Sequence, residues 1–220
     1  MTSSPLLFYI DDLYLSPYTY SVLCALIEKN IPYVLKETQF EKSKALSEHF
    51  QNLTYTELIP AIQSKDFVLT ESIAILEFLE EKFPAPEFPS LYPKEIHHRA
   101  QARMLLSWYR CGMQCLRKER SSETLFYSGL KSTVPLTPQA KEEFDDLTRA
   151  LLGILKKGQS FLFESTWSIA DSETALMIQR CLQNGDPVDP QLAAYSKKIW
   201  ERPSAQKFIR HPRRDYVPYY

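Results

Sequence analysis

The chain of 220 residues, 44% hydrophobic and 24% charged with a net charge of −1, is long enough for one or two domains with a core that needs no disulfide or metal. That balance argues against a nucleic-acid-binding surface, and no stretch approaches the roughly 18 apolar residues of a membrane span. The first residues carry no basic region or apolar leader core, so a cytoplasmic protein is expected.

Glycine is scarce: the five, Gly112, Gly129, Gly153, Gly158 and Gly185, all lie in the second half. A phosphate-cradling glycine loop and a G-x-S-x-G nucleophile elbow are therefore absent. Four cysteines, Cys24, Cys111, Cys115 and Cys181, form neither C-x-x-C nor a Cys/His metal pattern, and buried reduced thiols are expected. The pair His97-His98 has no second ligand pair one helical turn away; both read as exposed helix residues, and no metal is expected.

In chain order, Leu6 to Ile10 reads as a buried strand. Ser16-Pro17 then has the grammar of a helix start, since serine is a favoured N-cap and proline a favoured first helical residue. The helix runs from Tyr18 to Lys29, with Asn30 as C-cap, and Ile31 to Leu35 restarts extended structure. A short helix over Lys42 to Phe50 follows. Two strands, 59–63 and 67–70, flank a Ser64-Lys65-Asp66 hairpin loop, and Glu71 to Phe83 is a helix whose wet side carries Glu77, Glu80 and Glu81.

Pro84-Ala85-Pro86-Glu87-Phe88-Pro89, with Pro93 after it, cannot continue a helix and reads as a linker. Beyond it the spacing predicts a single helix over Lys94 to Lys118, with Gln101, Met104, Trp108, Cys111 and Cys115 on one stripe. Such a stripe is read as core in preference to a pocket wall. Further helices are predicted from Thr137-Pro138 to about Lys157 with a Gly158 cap, from Ser168-Ile169-Ala170-Asp171 onward, and over 190–201 and 203–210. The end of the chain, Arg210 to Tyr220, reads as loosely ordered. The division is thus residues 1–83 as an α/β domain, 84–93 as a linker and 94–220 as an all-α domain.

A βαβαββα unit, a proline-rich linker and a helical domain together resemble the glutathione transferase superfamily, over roughly residues 6–210. Four local matches carry it: Ser16-Pro17-Tyr18, Ile59-Pro60, Glu71-Ser72-Ile73-Ala74-Ile75 with Leu79, and Ser168-Ile169-Ala170-Asp171. The resemblance is to serine-type bacterial members. It implies a thioredoxin-like N-terminal domain with a mixed four-stranded sheet, an all-α C-terminal domain and a homodimer.

It also implies glutathione as co-substrate. Ser16 is the expected catalytic residue, donating to the glutathione sulfur; the alternative is that Ser16 only caps its helix. Ile59 would pair through its backbone with the cysteinyl part, and Pro60 would be cis. Glu71 would take the γ-glutamyl ammonium and Ser72 its carboxylate, the alternative being that Ser72 or Thr70 simply caps a helix. Glu57-Leu58 stand where related enzymes often have a basic or polar residue for the glycyl carboxylate; Lys36, Lys42 or Lys44 could substitute. A small electrophilic or peroxide substrate is expected between the domains, with Tyr18, Arg103, Ser107, Trp108, Arg110 and Cys111 as candidate wall residues.

The expected activity is a glutathione S-transferase, with a peroxidase activity beside it, in detoxification and oxidative stress. A glutathione-dependent isomerase, and a non-catalytic binding or regulatory protein of the same fold, stand as alternatives. Serine at position 16 disfavours thiol–disulfide exchange, which wants cysteine there.

Overall fold

The structure, a computed structural model, describes residues 5–38, 56, 58–163 and 165–216. The predicted helix over Lys42 to Phe50, and with it Glu57, Lys42 and Lys44, lies outside the described residues. The chain divides into two compact units, one of Met1–Leu91 with Lys207–Tyr220 and one of Tyr92–Gln206.

The first unit is built on a four-stranded mixed sheet in the order β2-β1-β3-β4. Its strands are β1 (Leu6–Asp11), β2 (Tyr33–Thr38), β3 (Ala61–Ser64) and β4 (Phe67–Thr70). β2 runs parallel to β1, β3 antiparallel to β1, and β4 antiparallel to β3. The central β1 is the most apolar strand and is buried along nearly its whole length, whereas the edge strand β2 has half-exposed alternation. Ser64 pairs with Phe67, so the hairpin turns on Lys65-Asp66 alone, with Lys65 at φ 54°.

Helix α1 (Pro17–Glu28) follows β1 and buries Tyr20, Val22, Leu23, Cys24, Ala25 and Leu26. It ends one residue earlier than expected, at Glu28 with Lys29 as the C-cap, and Asn30 just beyond takes φ 56°, its N–H bonding Ile27 O and the Ile31 N–H bonding Leu26 O at 2.9 Å. Helix α2 (Ser72–Lys82) starts one residue later than expected, because Glu71 is left-handed rather than helical. Its face is also less simple than the charge pattern suggested. Glu80 is not on the wet side: it accepts from Nζ of the fully buried Lys29 at 2.7 Å and from the Leu91 N–H at 2.9 Å. Lys29 also donates to Pro89 O at 2.7 Å. Pro89 of the linker is thereby tied into the first unit, and Ala85–Pro86 is cis.

The second unit is helical. Its elements are α3 (Ile96–Cys111), α4 (Gln114–Glu119), α5 (Ser122–Phe126), a 3-10 turn (Ser128–Leu130), α6 (Pro138–Ile154), α7 (Ile169–Asn184) and α8 (Pro190–Trp200). Helix α9 (Pro203–Ile209) runs across the boundary between units. The single helix expected over Lys94 to Lys118 is two helices, broken where Met113 adopts φ 56°. Cys111 and Cys115 therefore lie on different helices, the first exposed and the second half-buried. Only Cys24 and Cys181 are the buried thiols expected of all four, and burial pushes the Cys181 thiol up to about 12.

The stripe read as core is the outer face of α3. Gln101, Met104 and Cys111 are exposed and Trp108 is half-buried, while Ala102, Leu105, Leu106 and Tyr109 are buried. Helix α6 ends at Ile154 and not at Lys157, because Leu155 turns inward and the Lys156 N–H bonds the Gln159 side chain at 2.8 Å. Helix α7 is the core of this unit, with Ile169 through Cys181 all buried. It opens on Asp171, whose carboxylate accepts from the N–H groups of Leu162 and Ser168 at 2.8 Å and from the Tyr195 hydroxyl at 2.8 Å. Burial raises the Asp171 pKa, and those donors oppose the rise. Among the described residues no helix is long and apolar enough to cross a membrane.

Candidate functional site

The strand registers bring the predicted residues of the first unit to one end of the sheet. Tyr9 pairs with Ala61, so the C-terminal end of β1 lies beside the start of β3. Ala61 pairs in turn with Thr70, so the end of β4 lies there too. Three segments follow or precede these strand ends: Ser16 after β1, Ile59–Pro60 before β3, and Glu71-Ser72 after β4. Residues far apart in sequence thus share one rim of the sheet because β1 and β3 are antiparallel neighbours.

Ser16 is the N-cap of α1. Its backbone is extended and its Oγ accepts the Thr19 N–H at 3.2 Å. The cap uses an oxygen lone pair, so the hydroxyl proton can be donated elsewhere. The cap and the donor roles are therefore compatible. The loop before it is held by Asp11, a fully buried carboxylate that accepts from Leu15 N–H at 2.8 Å and Ser16 N–H at 3.4 Å. Burial raises the Asp11 pKa, and those two amides pull the other way. Asp11 did not stand out in the sequence; its only signal is an acid at the end of an apolar strand.

Ile59–Pro60 is cis, as the resemblance implied, and Pro60 is buried. Ile59 packs against the small cluster of Tyr9, Ala61 and Val68, which fixes its backbone at the start of β3. Leu58 before it is 59% exposed. Glu71 takes φ 65° and ψ 110° at the N-cap position of α2 and makes no side-chain cap bond. Ser72 is buried as the first residue of that helix, and Thr70 shares a hydroxyl–hydroxyl bond of 2.6 Å with Thr56. Neither Thr70 nor Ser72 occupies the cap position. The first amides of α2 and of α1 carry the positive ends of two helix dipoles.

The remaining candidates fall in two places. Tyr18 is half-buried in the first turn of α1. Arg103, Ser107 and Cys111 are exposed along one side of α3, with Trp108 next to them, and the Arg103 guanidinium lies 4.7 Å from the Tyr92 ring centre. Arg110 points elsewhere: it pairs with Glu173 of α7, Nη2 to Oε1 at 2.7 Å, and donates to Leu106 O at 2.8 Å. Its charge is committed within the helical unit. Among the described residues no group of three or more His, Cys, Asp or Glu could hold a metal ion.

A segment read from sequence as loosely ordered adjoins the Ser16 loop. Arg214 pairs with Asp12 at 2.9 Å, and Arg213 donates to Tyr14 O at 3.2 Å. No local sequence signal pointed to these contacts, which span 199 and 202 positions.

Comparison with known proteins agrees with this arrangement. The family model described as glutathione S-transferase, C-terminal domain matches residues 95–213, and the corresponding N-terminal domain model matches residues 15–82. The chain is 26% identical over 178 residues to mouse glutathione S-transferase theta-3, covering 78% of this chain and 73% of that protein. It is 27% identical over 205 residues to a stringent starvation protein A homologue of Coxiella burnetii, covering 89% of each. Among solved structures, a Burkholderia glutathione transferase homologue with bound glutathione superposes with a TM-score of 0.74 at 27% identity, over 94% of this chain and 97% of that one. With both domain models matched in order and the sheet and helical units in place, the chain belongs to the glutathione transferase superfamily.

Proposed function

We propose that the protein is a glutathione transferase in which the Ser16 hydroxyl donates a hydrogen bond to the thiolate of bound glutathione. The observation that carries this reading is the state of Ser16: its oxygen accepts the cap bond from Thr19 while its proton can still be donated. It stands at the rim that also holds the cis Ile59–Pro60 backbone and the Glu71-Ser72 start of α2. That donor set fits the tripeptide. Ser72 and the first amides of α2 suit a carboxylate, Glu71 suits an ammonium, and the Ile59 backbone can pair with the middle residue. The glutathione-bound Burkholderia homologue supports the same ligand.

Bound glutathione would supply the nucleophilic sulfur. Lowering its pKa by about two units from an ordinary thiol value near 8.5 takes about 2.7 kcal/mol of preferential thiolate stabilisation. A hydrogen bond to a charged partner contributes roughly 1.5–3 kcal/mol, and the α1 dipole adds to it. Ser16 at a helix start therefore meets most of the requirement. A thiolate held this way serves conjugation to an electrophile, peroxide reduction or isomerisation, and the second substrate decides among them. Arg103, Ser107, Trp108 and Cys111 on α3, with Tyr18, are the residues proposed to face it. Arg110 would act only by holding α3 against α7. A homodimer is proposed on the family resemblance and is checked by sedimentation equilibrium.

The test is titration of bound glutathione by thiolate ultraviolet absorbance, for wild type and Ser16→Ala. Wild type should form thiolate about two pH units below free glutathione, and Ser16→Ala should lose at least one of those units, about tenfold in the thiolate-to-thiol ratio. A wild type that binds glutathione without extra thiolate would sink the mechanism. A second reading, a non-catalytic binding or regulatory protein of the same fold, is compatible with the match to the Coxiella stringent starvation protein A homologue, whose name is not that of a transferase. Failure to bind glutathione by calorimetry at millimolar concentration would favour that reading.

A further inference from the structure

Tyr14, two residues ahead of Ser16, adopts φ 51°. A bulky non-glycine residue in that region costs free energy and persists only where the surroundings over-determine it. Here they do. The Tyr14 hydroxyl donates to Glu37 of β2 at 2.8 Å, and its N–H bonds Asp11 O at 3.2 Å. The other restraints come from the far end of the chain. Arg213 donates to the Tyr14 carbonyl through Nη2 at 3.2 Å and Nε at 3.3 Å. The His211 ring stacks on the Tyr14 ring at 3.5 Å with 14° between planes. Phe208, fully buried, packs its ring 5.6 Å from Tyr14 and 5.6 Å from Tyr20 of α1.

The same Arg213 guanidinium takes the carbonyls of Phe208 at 2.9 Å, Ile209 at 2.8 Å and His211 at 3.1 Å. It therefore joins the end of α9 to the strained carbonyl, using the planar fork that only arginine offers. One residue on, Arg214 grips Asp12 of the same loop. The segment from Phe208 to Arg214 thus closes on both flanks of the turn between β1 and α1. Arg213 meets the carbonyl of the strained Tyr14 and His211 its ring, while Arg214 holds Asp12 beside it.

We propose that Arg213, with His211 stacked on Tyr14, is a positioning residue: through the Tyr14 carbonyl and ring it holds residues 11–16 in the conformation that presents the Ser16 hydroxyl to a bound thiolate. The proposal rests on the reading of Ser16 given above. It assigns no contact with substrate to the chain end, which acts through Tyr14 alone.

The experiment uses the full-length chain as wild type, Arg213→Ala, Arg213→Lys, His211→Ala, Ser16→Ala and the Ser16→Ala/Arg213→Ala double variant. Thiolate of bound glutathione is titrated at saturating glutathione, and amide hydrogen exchange at Leu15 and Ser16 is followed without glutathione. Arg213→Ala is expected to raise the thiolate pKa by about one unit, tenfold in the thiolate-to-thiol ratio and about threefold in thiolate population at pH 7. It should lower kcat by about the same factor with KM changed less than twofold, and speed exchange at Leu15 about tenfold. Arg213→Lys should behave like the alanine variant, since it keeps charge and loses the fork. The double variant should titrate like Ser16→Ala alone, because without the hydroxyl there is nothing left to aim. If Arg213→Ala does not fold, Arg213→Lys and His211→Ala carry the comparison. The clamp is overturned if these variants titrate like wild type while Ser16→Ala shifts, whatever happens to thermal stability. If Ser16→Ala itself titrates like wild type, the reading of Ser16 falls and the clamp falls with it, so that one variant tells the two failures apart.

Discussion

Glu71 holds φ 65° and ψ 110° although it has a full side chain and makes no cap bond of its own. Strain of this kind costs roughly 1–3 kcal/mol, and it concentrates where geometry serves a ligand. Substitution Glu71→Gly would relieve it, less the 0.5–1 kcal/mol or so of entropy that glycine loses on folding. The expected net gain is about 1 kcal/mol, or about 2–4 °C in Tm for a chain of this length. The same change should weaken glutathione binding about 10–100-fold if the carboxylate pairs with the ammonium, a charge-assisted bond of roughly 1.5–3 kcal/mol. Glu71→Gln keeps the strain and should lose affinity with Tm unchanged. Differential scanning calorimetry and isothermal titration of the two variants separate these effects. A destabilised Glu71→Gly would show the backbone to be unstrained, and unaltered affinity in Glu71→Gln would remove the ammonium role. The cap at Ser16 is legible in sequence because helix-start grammar is local, whereas Pro60 and Ser72 stand out only through the family resemblance: an X-Pro pair is usually trans, and Ser72 lies one residue inside its helix and not at the cap. Asp11 and Tyr14 are not legible, since what makes them matter is burial and partners up to 199 positions away.

At the level of elements, the break between α3 and α4 turns on Gly112. A Cβ there would stand 2.8 Å from Trp108 Cδ1 and 3.0 Å from the Trp108 carbonyl. The missing side chain lets the Trp108 indole lie over the end of α3 before Met113 reverses the chain. Gly112→Ala should cost about 1–3 kcal/mol of overpacking, and most of that should be recovered in a Trp108→Ala background, where the indole is gone. Urea denaturation of the single and double variants measures this; additive losses would mean that the carbonyl contact, and not the indole, sets the break. Periodicity could not reveal the break, because three- and four-residue spacing runs on through Cys115. Nor could it say which face of α3 is buried, since both are partly apolar. Ala102, Leu105, Leu106 and Tyr109 face inward, and Met104 and Trp108 lie on the other side. Core-facing polar groups obscured the pattern further. Tyr109 bonds Thr174 at 2.7 Å and Arg110 pairs with Glu173, so these two inward-turning polar side chains find partners on α7.

At the scale of the whole chain, residues 208–214 pack on Asp12, Tyr14 and Glu37 within the first unit, and the stability this contact contributes should depend on pH. His211 stacks on Tyr14, with Glu37 Oε1 at 3.7 Å and Arg213 and Lys207 also acting on it. Burial lowers the His211 pKa below the ordinary value, Arg213 and Lys207 add to the lowering, and Glu37 opposes it. The folded chain therefore releases this proton more readily than the unfolded chain, whose histidine titrates near 6.5. Between the two values the unfolded state binds more protons, so stability rises with pH through that window. Read in the other direction, the contribution is fully present above about 6.5 and is lost as pH falls through the folded value. Asp11 and Asp171, whose pKa values burial raises, have the opposite sign. His211→Phe keeps an aromatic ring on Tyr14 and removes the proton, leaving both aspartates in place. The difference in unfolding free energy between wild type and His211→Phe should then be constant above about pH 7 and move against wild type as pH drops below about 6.5. Urea unfolding from pH 7.5 to 5 reads that difference directly. A flat difference would mean that the imidazole titrates alike folded and unfolded, and that the contact of this segment with Tyr14 carries no proton linkage.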